Sequence, residues 1–393
     1  MLVNSNNQLP EPDEAALTQS LELVQRIRVE ILSQQGSIGF QHFMQMALYE
    51  PGLGYYSATS QKFGAQGDFV TAPELSSLFA ACLSNQVLEV LDALPSGSVL
   101  EIGGGSGVLA AHMLLMLEQK GCLPEEYLLL ELSASLQARQ KETIGRLAPH
   151  LLDRVHWLES LPEPGFKGVV IANEVLDAMP VQCFRIQGEL VFDRRVGLDG
   201  EGFTWLAEPA DSDLERQVKK LFPEGLPAGT YDSEWNPWLS PWIAALSEML
   251  EQGVVLLVDY GYSRSEYYHP ERVQGTLICH YRHRVHDAPF YLPGLQDITA
   301  SVDFTAVAEA AGEHGLQVSG YTHQAAFLFG NDLQGEYECL DTDDSRERTK
   351  LAHEIRQLTL PGEMGERFKV MALSKKYDQS LRGFAWQDLR AVL

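Results

Sequence analysis

The chain has 393 residues, 45% of them hydrophobic and 21% charged, the composition of a water-soluble globular protein with room for one large domain or two ordinary ones. Its formal charge of −25 repels nucleic acid phosphates and anionic membranes and favours a basic partner. No window approaches the roughly 18 apolar residues of a membrane span. The N-terminus has no basic-then-apolar signal and no arginine before Arg26, and Cys82, Cys122, Cys183, Cys279 and Cys339 are scattered with no C-x-x-C pair, a pattern that reads as free thiols in a reducing cytoplasm.

Residues 1–13 are polar and Pro-containing and read as a disordered tail. Over 14–97 a helical region follows, first Glu14–Gln35 with Leu17, Leu21, Val24 and Ile31 at helical spacing and Gly36 beyond its end. Ser37 is placed to cap a second helix, Ile38–Leu48. After the turn-rich Glu50–Ser57, the segment G-D-F-V-T-A-P-E offers Asp68, Thr71 and Glu74. Thr71 and Glu74 have capping-box spacing for a helix from about Ala72 to Leu91.

At Ser98 the pattern changes to alternating strands and helices, the mark of a parallel sheet. Strands are predicted at 98–102, 126–131, 155–158, 168–172, 254–261, 316–321 and 368–373, with helices over 106–120 and 133–147. This core, 98–180 and 253–376, is split by an inserted subdomain at 181–252 and by an aromatic, Pro- and Gly-punctuated lid at 262–297. The first insert shows period-two patterning with Q-G-E and L-D-G-E-G turns, as a β-hairpin does; helices are expected at 211–221 and 237–252. Residues 377–393 form a peripheral tail.

The first strand runs into a glycine-rich turn, S-V-L-E-I-G-G-G-S-G (98–107), and then a helix, the arrangement that binds nucleotides. A dinucleotide fingerprint starting at Gly103 would need glycine where Val108 stands, which disfavours a nicotinamide-dependent dehydrogenase. The pattern present, Glu101, Gly103, Gly105 and Gly107, resembles the first motif of class I S-adenosyl-L-methionine methyltransferases, with the carboxylate near the ligand's cationic amino end. Glu131 ends the second strand roughly 20 residues past the glycines, where ribose hydroxyls need an acceptor. Asn173, Glu174 and Asp177 follow the fourth strand at the active edge of the sheet. They are candidates for holding the acceptor, Asn173 for touching the donor as well. Had the acceptor a guanidinium, Glu174 and Asp177 would grip it bidentately; the ordinary alternative is a helix start decorated with polar residues. Asp259 ends the fifth strand. His280, His283 and His286 could share a helical face, but nothing at a zinc spacing accompanies them, so no metal is expected.

The ordered segments Y-E-P-G-L-G-Y-Y-S, G-D-F-V-T-A-P-E, L-E-I-G-G-G-S-G, A-N-E-V-L-D-A-M-P-V, D-Y-G-Y and D-I-T-A-S-V-D-F together resemble the MidA-like methyltransferase family, over almost the whole chain. That resemblance implies an α/β fold: a Rossmann-like, seven-stranded class I methyltransferase sheet with a helical N-terminal region and inserted subdomains. It implies S-adenosyl-L-methionine as cofactor, with Gly103, Gly105, Gly107, Glu131 and Asp68 at its site and Glu174 at the acceptor. For the mitochondrial branch it implies dimethylation of an arginine on a complex I subunit, so a protein partner is expected here. A small-molecule methyltransferase and a non-catalytic assembly chaperone remain alternatives, and no feature fixes the oligomeric state.

Overall fold

The computed structural model describes residues 9–58, 71–94, 96–340 and 344–393. They form two compact units, one from the residues ending at Leu176 together with Ser240–Gly261 and Phe304–Leu393, the other from the N-terminal residues, Asp177–Leu239 and Tyr262–Asp303.

The first unit is built on seven strands: Ser98–Ile102 (β1), Tyr127–Leu130 (β2), Val155–Leu158 (β3), Phe166–Asn173 (β4), Leu250–Tyr262 (β5), Gln317–His323 (β6) and Phe368–Lys375 (β7). Their spatial order is β6-β7-β5-β4-β1-β2-β3. The ladders β3–β2, β2–β1, β1–β4 and β4–β5 are parallel, and β7 runs antiparallel to both β5 and β6. Apolar runs become central strands because both faces are covered: Val169–Ile171 and Val254–Val258 are fully buried. Each such side chain contributes about 1.5–3 kcal/mol of burial. From β1 the chain moves outward through β2 and β3, then returns to β4 on the other side. The C-terminal ends of β1 and β4 therefore flank the topological switch point, where open α/β sheets bind ligands.

Three helices serve that edge: Ser77–Ala93 (α1), Val108–Gln119 (α2) and Ala134–Leu147 (α3). The single helix expected from Ala72 is interrupted. A short turn, Ala72–Leu75, ends at Ser76, whose extended backbone and hydroxyl, accepting from the Leu78 N–H at 3.2 Å, start α1 afresh. Thr71 makes no side-chain cap, so the capping-box reading fails; Glu74 instead accepts a hydrogen bond from the Ser106 hydroxyl. The helix expected over 237–252 covers Leu239–Met249, because Leu250 already belongs to β5. Helices Gln324–Gly330 and Leu333–Leu340 were not foreseen.

In the second unit the strands Ser37–Gly39, Leu190–Asp199, Gln182–Gln187 and Thr230–Trp235 lie side by side in that order, with Gly202–Pro209 on Leu190–Asp199. Ser37 does not cap a helix: Ser37–Gly39 pairs with Arg195–Gly197, the Ser37 hydroxyl donates to Glu208 at 2.7 Å, and the helix starts at Phe40. Strand pairing has outcompeted the cap. A smaller sheet orders Arg284–His286, Ile278–Tyr281 and Asp297–Thr299. His280 and His286 thus lie on two arms of a hairpin with His283 in its turn, not on one helical face. Among the described residues, no three His, Cys, Asp or Glu side chains could share a metal ion, and no helix is long and apolar enough to cross a membrane. All five cysteines are free thiols.

Candidate functional site

The glycine corner follows from the backbone that the turn requires. Gly103, Gly105 and Gly107 have φ of +69°, +52° and +83°, the left-handed region that only glycine enters without strain. Their surroundings differ. A Cβ at Gly107 would lie 2.9 Å from the Cα of Gln140, so Gly107 is where α3 closes on the corner. Among the described residues, a Cβ at Gly105 would meet nothing within 4 Å. Gly105 is thus the glycine facing open space, beside the N-terminus of α2, where partial positive charge and unsatisfied N–H groups collect.

Two carboxylates sit at this corner. Glu101 is buried within β1 and accepts a hydrogen bond from the Tyr127 hydroxyl at 2.5 Å. Burial pushes its carboxyl up to about 7; the Tyr127 hydrogen bond opposes this and the nearby Glu131 charge adds to it. Glu131, also buried, stands at the end of β2. Its Oε1 accepts from the Ser133 N–H at 2.9 Å and its Oε2 from the Gln140 side-chain amide at 3.2 Å.

At the end of β4, Glu174 has φ +53°, left-handed for a residue with a side chain. Its N–H donates to Val258 O at 2.8 Å, holding it against β5. Such conformations cost on the order of 1–3 kcal/mol and gather at functional sites. The Asn173 amide donates to Glu174 Oε1 at 3.1 Å, and among the described residues the buried Asn173 Oδ1 has no hydrogen-bond partner. Asp259, fully buried at the end of β5, accepts from the Leu176 N–H at 3.0 Å and the Tyr260 N–H at 2.9 Å. It ties the segment carrying Glu174 to the strand beside it. The β1 and β4 ends adjoin: Ile102 pairs with Ala172, and a Cβ on Gly103 would come within 3.1 Å of Val175. Glu101, Gly103, Gly105, Gly107, Glu131, Asn173 and Glu174 therefore share one sheet edge.

Asp177 belongs to the other unit, buried there, with its carbonyl accepting from the Ala300 N–H at 3.0 Å. Asp68 lies outside the described residues, as do residues 1–8 of the expected tail. Gln140 was missed by the sequence reading. Its signal was there: with Leu136, Thr143 and Ile144 it occupies the buried face of α3, a polar side chain on an inward stripe.

These residues suit a sulfonium nucleoside. Among the described residues Gly105 leaves room that a Cβ would take, the Glu131 carboxylate is held where it could accept from sugar hydroxyls, and Asn173 Oδ1 is a buried acceptor that a ligand amine would satisfy.

A family described as "Putative S-adenosyl-L-methionine-dependent methyltransferase" matches residues 82–322. A Burkholderia thailandensis protein, crystallised with S-adenosyl-homocysteine, is 42% identical over 98% of this chain and 100% of its own, with a TM-score of 0.94. A relative from Drosophila melanogaster, named a mitochondrial protein arginine methyltransferase NDUFAF7 homolog, is 28% identical over 93% of this chain and 87% of its own. NDUFAF7 of Danio rerio, also named as a mitochondrial protein arginine methyltransferase, is 27% identical over 86% and 83%. The mitochondrial placement of these relatives overturns the cytoplasmic assignment drawn from the N-terminus and the cysteines. Fold and sequence agree, and the chain belongs to this family of S-adenosyl-L-methionine-dependent methyltransferases.

Proposed function

We propose that the protein methylates an arginine side chain of a protein partner, the family resemblance pointing to a complex I-type subunit. The observation that carries the reading is Glu174: a carboxylate in a strained backbone conformation, next to the glycine corner, at the switch point of the sheet. The relatives named as arginine methyltransferases support it, as does a charge of −25 that draws a basic partner.

When bound, the donor supplies an electrophilic methyl group on a positively charged sulfur. Everything else falls to this chain's residues. Glu131 and the corner around Gly105 would hold the donor, and Asn173 Oδ1 would accept a hydrogen bond from its amine. Glu174 would accept two N–H groups of the guanidinium, hold one nitrogen toward the donor and localise its lone pair. Glu174 would also take the proton that the methylated nitrogen sheds. Orientation of this kind can supply several kcal/mol of the barrier.

The test is incubation with methyl-labelled S-adenosyl-L-methionine and a lysate from cells lacking the protein, followed by residue-level mass spectrometry. Label in methylarginine of one protein supports the reading. Label confined to the small-molecule fraction identifies a small-molecule methyltransferase, and donor binding without label anywhere identifies a chaperone.

A further inference from the structure

Gln140 sits where three parts of the donor corner meet. It is fully buried on α3, and its side chain makes three hydrogen bonds. Nε2 donates to the carbonyl of Gly105 at 3.1 Å and to Glu131 Oε2 at 3.2 Å; Oε1 accepts from the Trp157 indole N–H at 2.9 Å. The partners themselves fix the amide's orientation. An indole N–H only donates, so it demands the amide oxygen; a carbonyl and a carboxylate only accept, so they demand the two N–H groups. Turning the amide over would break every one of these bonds. No other residue of similar size satisfies the set: glutamate would place a second negative charge on Glu131, methionine would leave all three partners unmet, and a lysine or arginine could accept nothing from Trp157.

The backbone of Gln140 is equally constrained, since a Cβ on Gly107 would lie 2.9 Å from its Cα. Corner and helix are thus in direct contact, and the Gln140 amide spans from the open glycine to the carboxylate on β2. We infer that Gln140 is a positioning residue for the donor: it aims the Glu131 carboxylate at the sugar hydroxyls, with the Gly105 carbonyl and the Trp157 indole locking the amide in place. The inference rests on the reading of Glu131 as the sugar-binding carboxylate. Gln140 acts through Glu131, so its loss should appear as weaker recognition of the sugar hydroxyls, with other ligand contacts intact.

The experiment compares binding of S-adenosyl-homocysteine with that of its 2′,3′-dideoxy analogue by calorimetry, on the full chain. Loss of one hydrogen bond to a charged group is worth roughly ten- to hundredfold. Gln140→Met should therefore weaken S-adenosyl-homocysteine by about that factor while leaving the dideoxy analogue unchanged. Glu131→Ala should show the same selective loss, and Gln140→Met on top of it should lose little more. Trp157→Phe, which releases only the amide oxygen, should weaken S-adenosyl-homocysteine in the same selective sense but less, and it carries the test should Gln140→Met not fold. Equal weakening of both ligands by Gln140→Met or by Trp157→Phe, or additivity with Glu131→Ala, would reduce Gln140 to a packing residue and overturn the inference alone. An unaltered preference in Glu131→Ala would overturn the sugar-binding reading and the inference with it.

Discussion

Gly105→Val separates the cost of backbone strain from the loss of a ligand. At φ +52° a side chain costs about 1–2 kcal/mol, and a β-branched one sits at the upper end. The described residues offer no clash, since a Cβ there meets none of them within 4 Å. The variant should fold, with its Tm lowered by a few degrees. The valine side chain then stands in the space the donor needs, and the overlap of roughly 1–3 kcal/mol typical of overpacking corresponds to a five- to 150-fold rise in Kd for S-adenosyl-homocysteine. Gly200 supplies the control: φ is +59°, and a Cβ there also meets nothing within 4 Å, but it lies in a hairpin of the other unit. Gly200→Val should lose similar stability and no affinity. Calorimetric titration beside thermal unfolding measures both. A folded Gly105→Val protein that binds S-adenosyl-homocysteine within about twofold of the wild type, well inside the loss estimated for overpacking, would refute the assignment of the corner.

Glu101 makes stability depend on pH. Its folded carboxyl titrates at about 7 because of burial, above the roughly 4.3 of an unfolded glutamate. Between those values the folded chain holds a proton that the unfolded chain has lost. Its contribution is complete below the unfolded value and is lost as pH rises to about 7, a span worth about 4 kcal/mol. Glu101→Gln, which mimics the protonated form, should flatten that part of the stability–pH curve; an unchanged slope would mean that another group titrates there. Asp259→Ala strands the buried Leu176 N–H and should cost about 1–3 kcal/mol, with hydrogen exchange at Leu176 accelerated. Unchanged protection at that amide would show that Asp259 does not tie down the segment after β4.

The sheet was legible because its chemistry is local. Each central strand is an apolar run long enough to be buried on both faces, and the glycines at 103–107 mark the first turn wherever the rest of the chain goes. Glu101, Glu131, Asn173 and Glu174 could be placed on one edge because strand ends of a parallel sheet share an edge. Four features resisted. Ser37 carries a strong local cap signal that pairing with Arg195–Gly197 overrides, and that partner lies far along the chain. Ser76 divides a helix whose apolar pattern runs on without interruption. Gln140 was hidden because hydrogen bonds to Gly105, Glu131 and Trp157 come from three separate segments, and spacing alone cannot bring them together. The left-handed backbone of Glu174 was equally invisible, since nothing in N-E-V-L distinguishes it from a helix start.

Glu174→Gly tests the account most directly, because glycine relieves the φ of +53° while removing the carboxylate. Stability and affinity for S-adenosyl-homocysteine should remain close to the wild type, while methyl transfer to the protein acceptor falls by about a hundredfold or more, as when an oriented polar group is removed from a transition state. Transfer that survives in Glu174→Gly, or that declines only in step with donor binding, would contradict the role given to this carboxylate and with it the proposed reaction.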